Sequence, residues 1–178
     1  YSYLMTKLNS YLSLIRFYNP IGFWLLLWPG LWGLFLSDNF NIENFTIVVL
    51  GSFLTRSLGC AINDFLDKDF DKSVERTKNR PIASKELSLS EAGIFIILLA
   101  SFCIFLLMQT NPYTIKLVSY FAIPMIILYP LMKRFLAMPQ LFLGATFGLS
   151  LPISYSIAES TLSLEVIFLY IGLSLIHI

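Results

Sequence analysis

The sequence predicts an all-α protein, a polytopic bundle of transmembrane helices, and three observations carry that reading. Of 178 residues, 57% are hydrophobic and 13% charged, where a soluble domain carries about a quarter charged. Mean hydropathy is +0.75. Sixteen Phe, nine Tyr and three Trp add an aromatic load that a soluble core of this length has no room to bury. The same composition excludes disorder, and a net charge of +1 argues against a nucleic-acid surface. Cys60 and Cys103 lie in apolar runs, away from metal-ligand or disulfide spacings.

A helix needs about 20 mainly apolar residues to cross a bilayer. Such runs occupy residues 21–36, 45–62, 92–108, 117–132, 141–157 and 164–178. The first and last are short, although Tyr18 extends the first. None shows the strict alternation of a β-barrel strand, so helices are the only way to satisfy the backbone in lipid. Residues 1–18 mix polar and apolar side chains and do not read as a signal peptide. No internal repeat or low-complexity linker divides the chain. Residues 1–178 therefore read as one membrane domain, cut at its C-terminal side, with about six helices.

Lysine and arginine set the expected orientation. Lys7 and Arg16 precede the first span, and the connection 63–91 holds Lys68, Lys72, Arg76, Lys78, Arg80 and Lys85. Lys133 and Arg134 follow the fourth span. The intervening connections carry Asp38 and Glu43, then only Lys116, then Glu159 and Glu165. Basic and non-basic connections alternate, which places the N-terminus and the two basic loops on the cytoplasmic side.

The chemistry concentrates in residues 63–71. Asn63, Asp67 and Asp71 stand at i, i+4 and i+8, one stripe of oxygen ligands on a helix, with Asp64 beside them. Like charges so arranged repel by about 0.2–0.5 kcal/mol per exposed pair, a cost that a divalent cation removes. Oxygen ligands in an incomplete cage suit Mg²⁺, which keeps waters and takes the rest of its shell from substrate phosphates. Three other readings compete. A solvated loop would pair these acids with Lys68, Lys72 and Arg76. An EF-hand starting at Asp67 fails where Lys72 replaces glycine and Lys78 the bidentate Glu. A transporter cation site would want a broken partner helix opposite the acids.

A metal–diphosphate site accounts for the surroundings best. Arg56 lies seven residues before Asn63 inside an apolar run, on the same helical face, or else snorkels to the headgroups. Arg76, Thr77, Lys78, Asn79, Arg80 and Pro81 form a basic loop after the acids, and Lys133 and Arg134 end the fourth span on the same expected side. Metal ligands and phosphate donors at one face, next to an apolar interior, suit a long-chain lipid diphosphate.

The motif Asn63-Asp64-x-x-Asp67-x-x-x-Asp71, followed by Arg76-Thr77-x-x-Arg80-Pro81, resembles the first aspartate-rich motif of the UbiA superfamily of intramembrane prenyltransferases. The run from Pro20 through Gly22, Trp24 and Trp28 to Pro29 resembles the first helix of the 4-hydroxybenzoate polyprenyltransferase branch. So do Arg56-Ser57-x-Gly59-Cys60, Tyr129-Pro130-x-Met132-Lys133-Arg134, Pro139-Gln140-x-x-Leu143-Gly144 and Phe147-Gly148-x-Ser150-x-Pro152, all in family order.

That resemblance implies a bundle of nine transmembrane helices around a cavity, of which about six are written here. It implies Mg²⁺-dependent transfer of a polyprenyl group from polyprenyl diphosphate to a ring carbon of 4-hydroxybenzoate, in ubiquinone biosynthesis. Asn63, Asp64, Asp67 and Asp71 would hold the metal, with Asp67, Asp71 and Arg134 as the catalytic set. Arg56, Arg76 and Lys133 would bind diphosphate or the aromatic acid. Phe23, Trp24 and Trp28 would face the isoprenoid, or else lipid. The implied partners are these two substrates and membrane lipid, with no nucleic acid and no protein partner inferred. A bacterial inner membrane is expected before a mitochondrial one, because no Arg- and Ser-rich leader is visible.

The sequence departs from the family near its end. The family carries a second aspartate-rich motif beyond the region written here, and the last residues, with His177, do not follow the pattern leading to it. The residues given are therefore expected to be inactive alone. Haem farnesyl, menaquinone and chlorophyll prenyltransferases remain alternatives, as do a cation-coupled transporter and a non-catalytic remnant.

Overall fold

The first three apolar runs fold as α2 (Ile21–Phe35), α3 (Ile42–Leu66) and α5 (Leu89–Leu107), in a computed structural model that describes residues 2–135 and 138–176. Side chains are described for residues 5–129, 138 and 140–175. Before them comes α1 (Ser2–Leu14), and between α3 and α5 the single turn α4 (Lys68–Asp71). The fourth run is α6 (Pro112–Leu117), a π turn over Val118–Ala122, and α7 (Ile123–Phe135). The fifth is α8 (Pro139–Gly148) and α9 (Ser150–Glu159), and the sixth α10 (Leu164–Ile176). All described elements are helical, as the composition predicts.

Among the described residues, four segments are long and apolar enough to cross a membrane: Ile42–Leu66, Leu89–Leu107, Pro112–Tyr129 and Gln140–Glu159. Ile21–Phe35 and Leu164–Leu175 are apolar but shorter, in keeping with the two runs that read short. Their outer surfaces stay greasy. Ile97, Phe105, Tyr120 and Phe168 are each exposed over 65% or more of their area, a pattern that water would punish and lipid rewards. The chain is an integral membrane protein.

Two proline effects shape the later spans. Pro124 has no N–H to give the Tyr120 carbonyl, and the π turn lies immediately before α7, where the register loosens. Pro152 likewise leaves the Gly148 carbonyl without its i+4 donor, and the fifth run breaks at Leu149 into α8 and α9. The Leu149 N–H still donates to the Ala145 carbonyl at 3.3 Å and the Ile153 N–H to the Leu149 carbonyl at 3.1 Å. The span bends without ending.

The chain divides into two compact units. The first comprises residues 1–22 and 54–103. Its core is Leu14, Ala61, Ile82, Leu87, Ala92 and Leu99, with Tyr11, Leu58 and Phe95 packed against it. Lys7 donates to both Glu91 carboxylate oxygens, at 2.7 and 2.9 Å, and Ser10 to Glu86 at 2.9 Å. These contacts tie α1 to the start of α5.

The second unit comprises residues 23–53 and 104–178. Leu27, Leu34 and Val48 form one cluster with Phe23, Leu31 and Ile157, and Leu151, Val166 and Leu173 another. At Gly33 any β-carbon would strike the Leu151 carbonyl oxygen and the Ser154 hydroxyl. That position is glycine because α2 and α9 touch there through their backbones. The three non-basic connections also meet within this unit. Glu159 accepts from the Asp38 and Asn39 N–H groups at 2.9 and 3.1 Å. Asn111 caps α6 and donates to the Ser156 carbonyl at 2.7 Å, and the Thr114 and Ser156 hydroxyls lie 2.8 Å apart. Their meeting is what strict alternation of the spans requires.

Candidate functional site

The predicted acidic stripe lies wholly within the first unit. α3 ends at Leu66, Asp67 leaves helical geometry at φ −91°, ψ 4°, and α4 resumes at Lys68. The i→i+4 pattern nonetheless survives. The Asp67 N–H donates to the Asn63 carbonyl at 2.9 Å, and the Asp71 N–H to the Asp67 carbonyl at 2.8 Å. The four-residue spacing read in the sequence is therefore kept across the break. Burial then sorts the acids: Asp64, Asp67 and Asp71 are 1%, 1% and 4% exposed, whereas Asp69 faces solvent. Asn63 is half-buried. A solvated charge run would not bury three carboxylates in nine residues, since unpaired buried charge is costly.

Two arginines supply the partners. One guanidinium nitrogen of Arg16 reaches both Asp64 carboxylate oxygens, at 2.8 and 3.0 Å, from 48 residues away. Arg80 Nη1 stands between two acids, 3.0 Å from Asp64 Oδ1 and 2.7 Å from Asp71 Oδ2. Local backbone geometry presents each of them. α1 ends with the Phe17 N–H on the Leu12 carbonyl and the Arg16 N–H on the Ser13 carbonyl, with Arg16 at φ 60°. This is the Schellman pattern with a non-glycine in the left-handed position. In the loop after α4, the Thr77 hydroxyl donates to the Asp71 carbonyl at 3.2 Å and folds the chain back toward the acids. The Arg76-Thr77-x-x-Arg80 spacing thereby sends one arginine inward and leaves the other exposed.

The remaining sequence candidates scatter. Arg56 is half-buried in α3, and its guanidinium fills the space that a β-carbon on Gly22 would take. Arg76 is exposed. Lys133 and Arg134 lie on α7 in the second unit, and their side chains fall outside the described residues, as does His177. Trp24 and Trp28 are about half exposed at 47% and 52% and stack on each other, with Phe23 against Trp24 and Phe53. Lys72 donates to Asp69 at 2.9 Å and holds that exposed carboxyl below the ordinary carboxylate range. Lys68, Lys72 and Lys85, with Asp69, Ile82 and Leu87, line a cavity of about 430 Å³ that none of the buried acids enters.

Sequence reasoning assigned no site role to Arg16 or Arg80. Arg80 reads in the sequence only as part of the basic loop 76–81. Arg16 read only as a topology marker, and no local spacing could connect it to Asp64. Among the described residues no three carboxylate, imidazole or thiol groups converge as a metal-binding set, and the Arg80 guanidinium stands between Asp64 and Asp71. The donor set still suits a hard divalent cation, being all oxygen and held at a buried helix end. Ligation would require Asp71 to exchange Arg80 for the metal.

Comparison with known proteins places this geometry. The chain is 42% identical over 171 residues to the 4-hydroxybenzoate octaprenyltransferase of Polynucleobacter asymbioticus, covering 95% of this chain and 59% of that protein. It is 40% identical to the enzyme of the same name from Vibrio atlanticus, covering 94% and 60%. The chain thus spans about three fifths of the length of these relatives. Among solved structures, a study of digeranylgeranylglyceryl phosphate synthase in membranes gives a TM-score of 0.80 at 24% identity, covering 96% of this chain and 60% of that one. A UbiA homologue from Archaeoglobus fulgidus bound to GPP and Mg²⁺ gives 0.74 at 18%, covering 94% and 59%. Both establish the fold. A model of the UbiA prenyltransferase family matches residues 26–177, which takes in both the acidic helix end and all the later spans, and the chain belongs to that family.

Proposed function

We propose that the intact protein is a 4-hydroxybenzoate polyprenyltransferase of ubiquinone biosynthesis, acting in a bacterial inner membrane with the acidic motif on the cytoplasmic side. The observation that carries this reading is the buried acidic end of α3 in a chain 40–44% identical to enzymes of that name. The substrates would be a polyprenyl diphosphate and 4-hydroxybenzoate. In the reaction, the allylic carbon–oxygen bond breaks and its electron pair leaves on the diphosphate. A ring carbon ortho to the hydroxyl forms the new carbon–carbon bond, and the ring loses its proton.

Asn63, Asp67 and Asp71 would hold Mg²⁺, with Asp64 beside them as the sequence reads. When bound, the cation would neutralise charge developing on the departing diphosphate. Arg56 and Arg76 would add positive charge, and Lys133 and Arg134 would bind diphosphate or the aromatic acid; their roles rest on the sequence. Apolar helix faces would keep water from the allylic cation.

Radiolabelled 4-hydroxybenzoate offered with polyprenyl diphosphate to membranes carrying the intact protein is the test. Wild type should prenylate the acid, and Asp67→Ala or Asp71→Ala should abolish transfer. Wild-type turnover in either variant would remove the metal role from these residues. Arg134→Ala should lose orders of magnitude in turnover while remaining inserted; unchanged kinetics would withdraw its role. An unlabelled acid together with prenylation of another acceptor would point to a different branch of the family.

A further inference from the structure

Four side chains form a chain of alternating charge: Arg16, Asp64, Arg80, Asp71. Two cations and two anions balance, and the two acids are almost wholly buried. The arrangement is asymmetric. Asp64 is held by both arginines, whereas among the described residues the Asp71 carboxylate pairs with Arg80 alone. Arg80 itself uses a single nitrogen on both acids. If Asp71 is taken by another cation, Arg80 keeps its contact with Asp64 and its charge is not left unpaired. If Asp64 were taken instead, Arg16 would lose the carboxylate that both its contacts use.

From this we infer that Arg80 is a built-in competitor of the divalent cation at Asp71, and that Asp64 is the positioning residue that receives Arg80 when the cation binds, not a ligand of the metal. The inference rests on the metal role proposed for Asp67 and Asp71. Asp64 lowers the cost of displacing Arg80 because the guanidinium moves from two acids to one instead of from one to none. Arg16 fixes Asp64 for that task from the end of α1. Competition by a tethered cation means that the metal site is weak when empty of substrate, and its strength is set by a residue that never touches the metal.

The test is titration of the intact protein in nanodiscs with Mn²⁺ alone, read by electron paramagnetic resonance, with no substrate and no turnover. Arg80→Gln should bind Mn²⁺ about tenfold tighter than wild type, since the competing charge is gone. Arg80→Lys keeps the charge and should stay near wild type, which also separates competition from a general loss of structure. Asp64→Asn should bind several-fold more weakly, and Asp64→Asn combined with Arg80→Gln should return to the Arg80→Gln affinity. Unchanged or weaker binding in Arg80→Gln overturns the competition. A double variant as weak as Asp64→Asn overturns the positioning role and makes Asp64 a ligand. Mn²⁺ binding that survives intact in both Asp67→Asn and Asp71→Asn, or is absent in every protein including Arg80→Gln, sinks the metal reading itself. If Asp67→Asn and Asp71→Asn lose Mn²⁺ while Arg80→Gln fails to gain, the metal reading stands and this inference alone falls.

Discussion

At the scale of single residues, Arg16 carries two opposed contributions. Its left-handed backbone at φ 60° costs about 1–2 kcal/mol relative to a helical conformation. Its side chain pays that back by meeting a carboxylate that is 1% exposed. A quarter of the Arg16 side chain still touches solvent, so the pair sits below the usual cost of breaking a buried ion pair. Arg16→Ala should therefore destabilise the folded chain by about 2 kcal/mol. Arg16→Gly should lose only about half as much, because glycine accepts the left-handed conformation freely. Unfolding in mixed micelles by titration with dodecyl sulfate measures both; equal losses would show that the backbone at Arg16 is unstrained. The residue also marks where the sequence stops being legible. Asp64 and Asp67 are alike in a one-dimensional reading, and the partners that hold Asp64 stand 16 and 48 positions away from it.

The element scale was the more legible one. Six apolar runs gave six apolar helical segments, with ends near those expected, because hydropathy and helix length are local properties. The π turn and the break at Leu149 are explained by Pro124 and Pro152, yet a proline alone does not say whether a span kinks, loosens or stops. The helix α1 escaped notice because its mixed face reads as neither a span nor a loop, and it folds onto a core made mostly by α3, α5 and the loop between them. Glycines were ambiguous in the same way. Packing makes the role of Gly33 plain, with the Leu151 carbonyl where a side chain would start. Gly33→Ala should cost about 1–3 kcal/mol through forced separation of α2 and α9. Gly172, which has no neighbour near a β-carbon, should accept alanine without loss. Stability of the two variants in the same micelle titration compares them directly, and equal tolerance would mean that α2 and α9 do not pack closely at Gly33.

For the molecule as a whole, the alternation of basic and non-basic connections foretold which loops meet. Connections 37–44, 109–116 and the end of α9 share hydrogen bonds in the second unit, and the N-terminal segment joins 63–91 in the first. Charge counting sees this because the bilayer sorts loops by sign before any packing occurs. It follows that cysteines on the two sets should label from opposite sides. In a background with Cys60 and Cys103 replaced, Ser84→Cys should react with an impermeant maleimide only after the membrane is opened from the cytoplasmic side. Asn41→Cys should react in intact cells. Labelling of both from one side would refute the alternation.

The order of the four charged side chains along the chain has a consequence for biosynthesis. Arg16, Asp64, Asp71 and Arg80 all precede the start of α5 at Leu89. Their salt bridges need nothing that is translated later. Asp64 and Asp71 can thus be neutralised by Arg16 and Arg80 while the downstream spans are still being made. A nascent chain delivering these two buried carboxylates to the edge of a bilayer carries their counter-ions with it, and need not wait for a metal to arrive before they can settle.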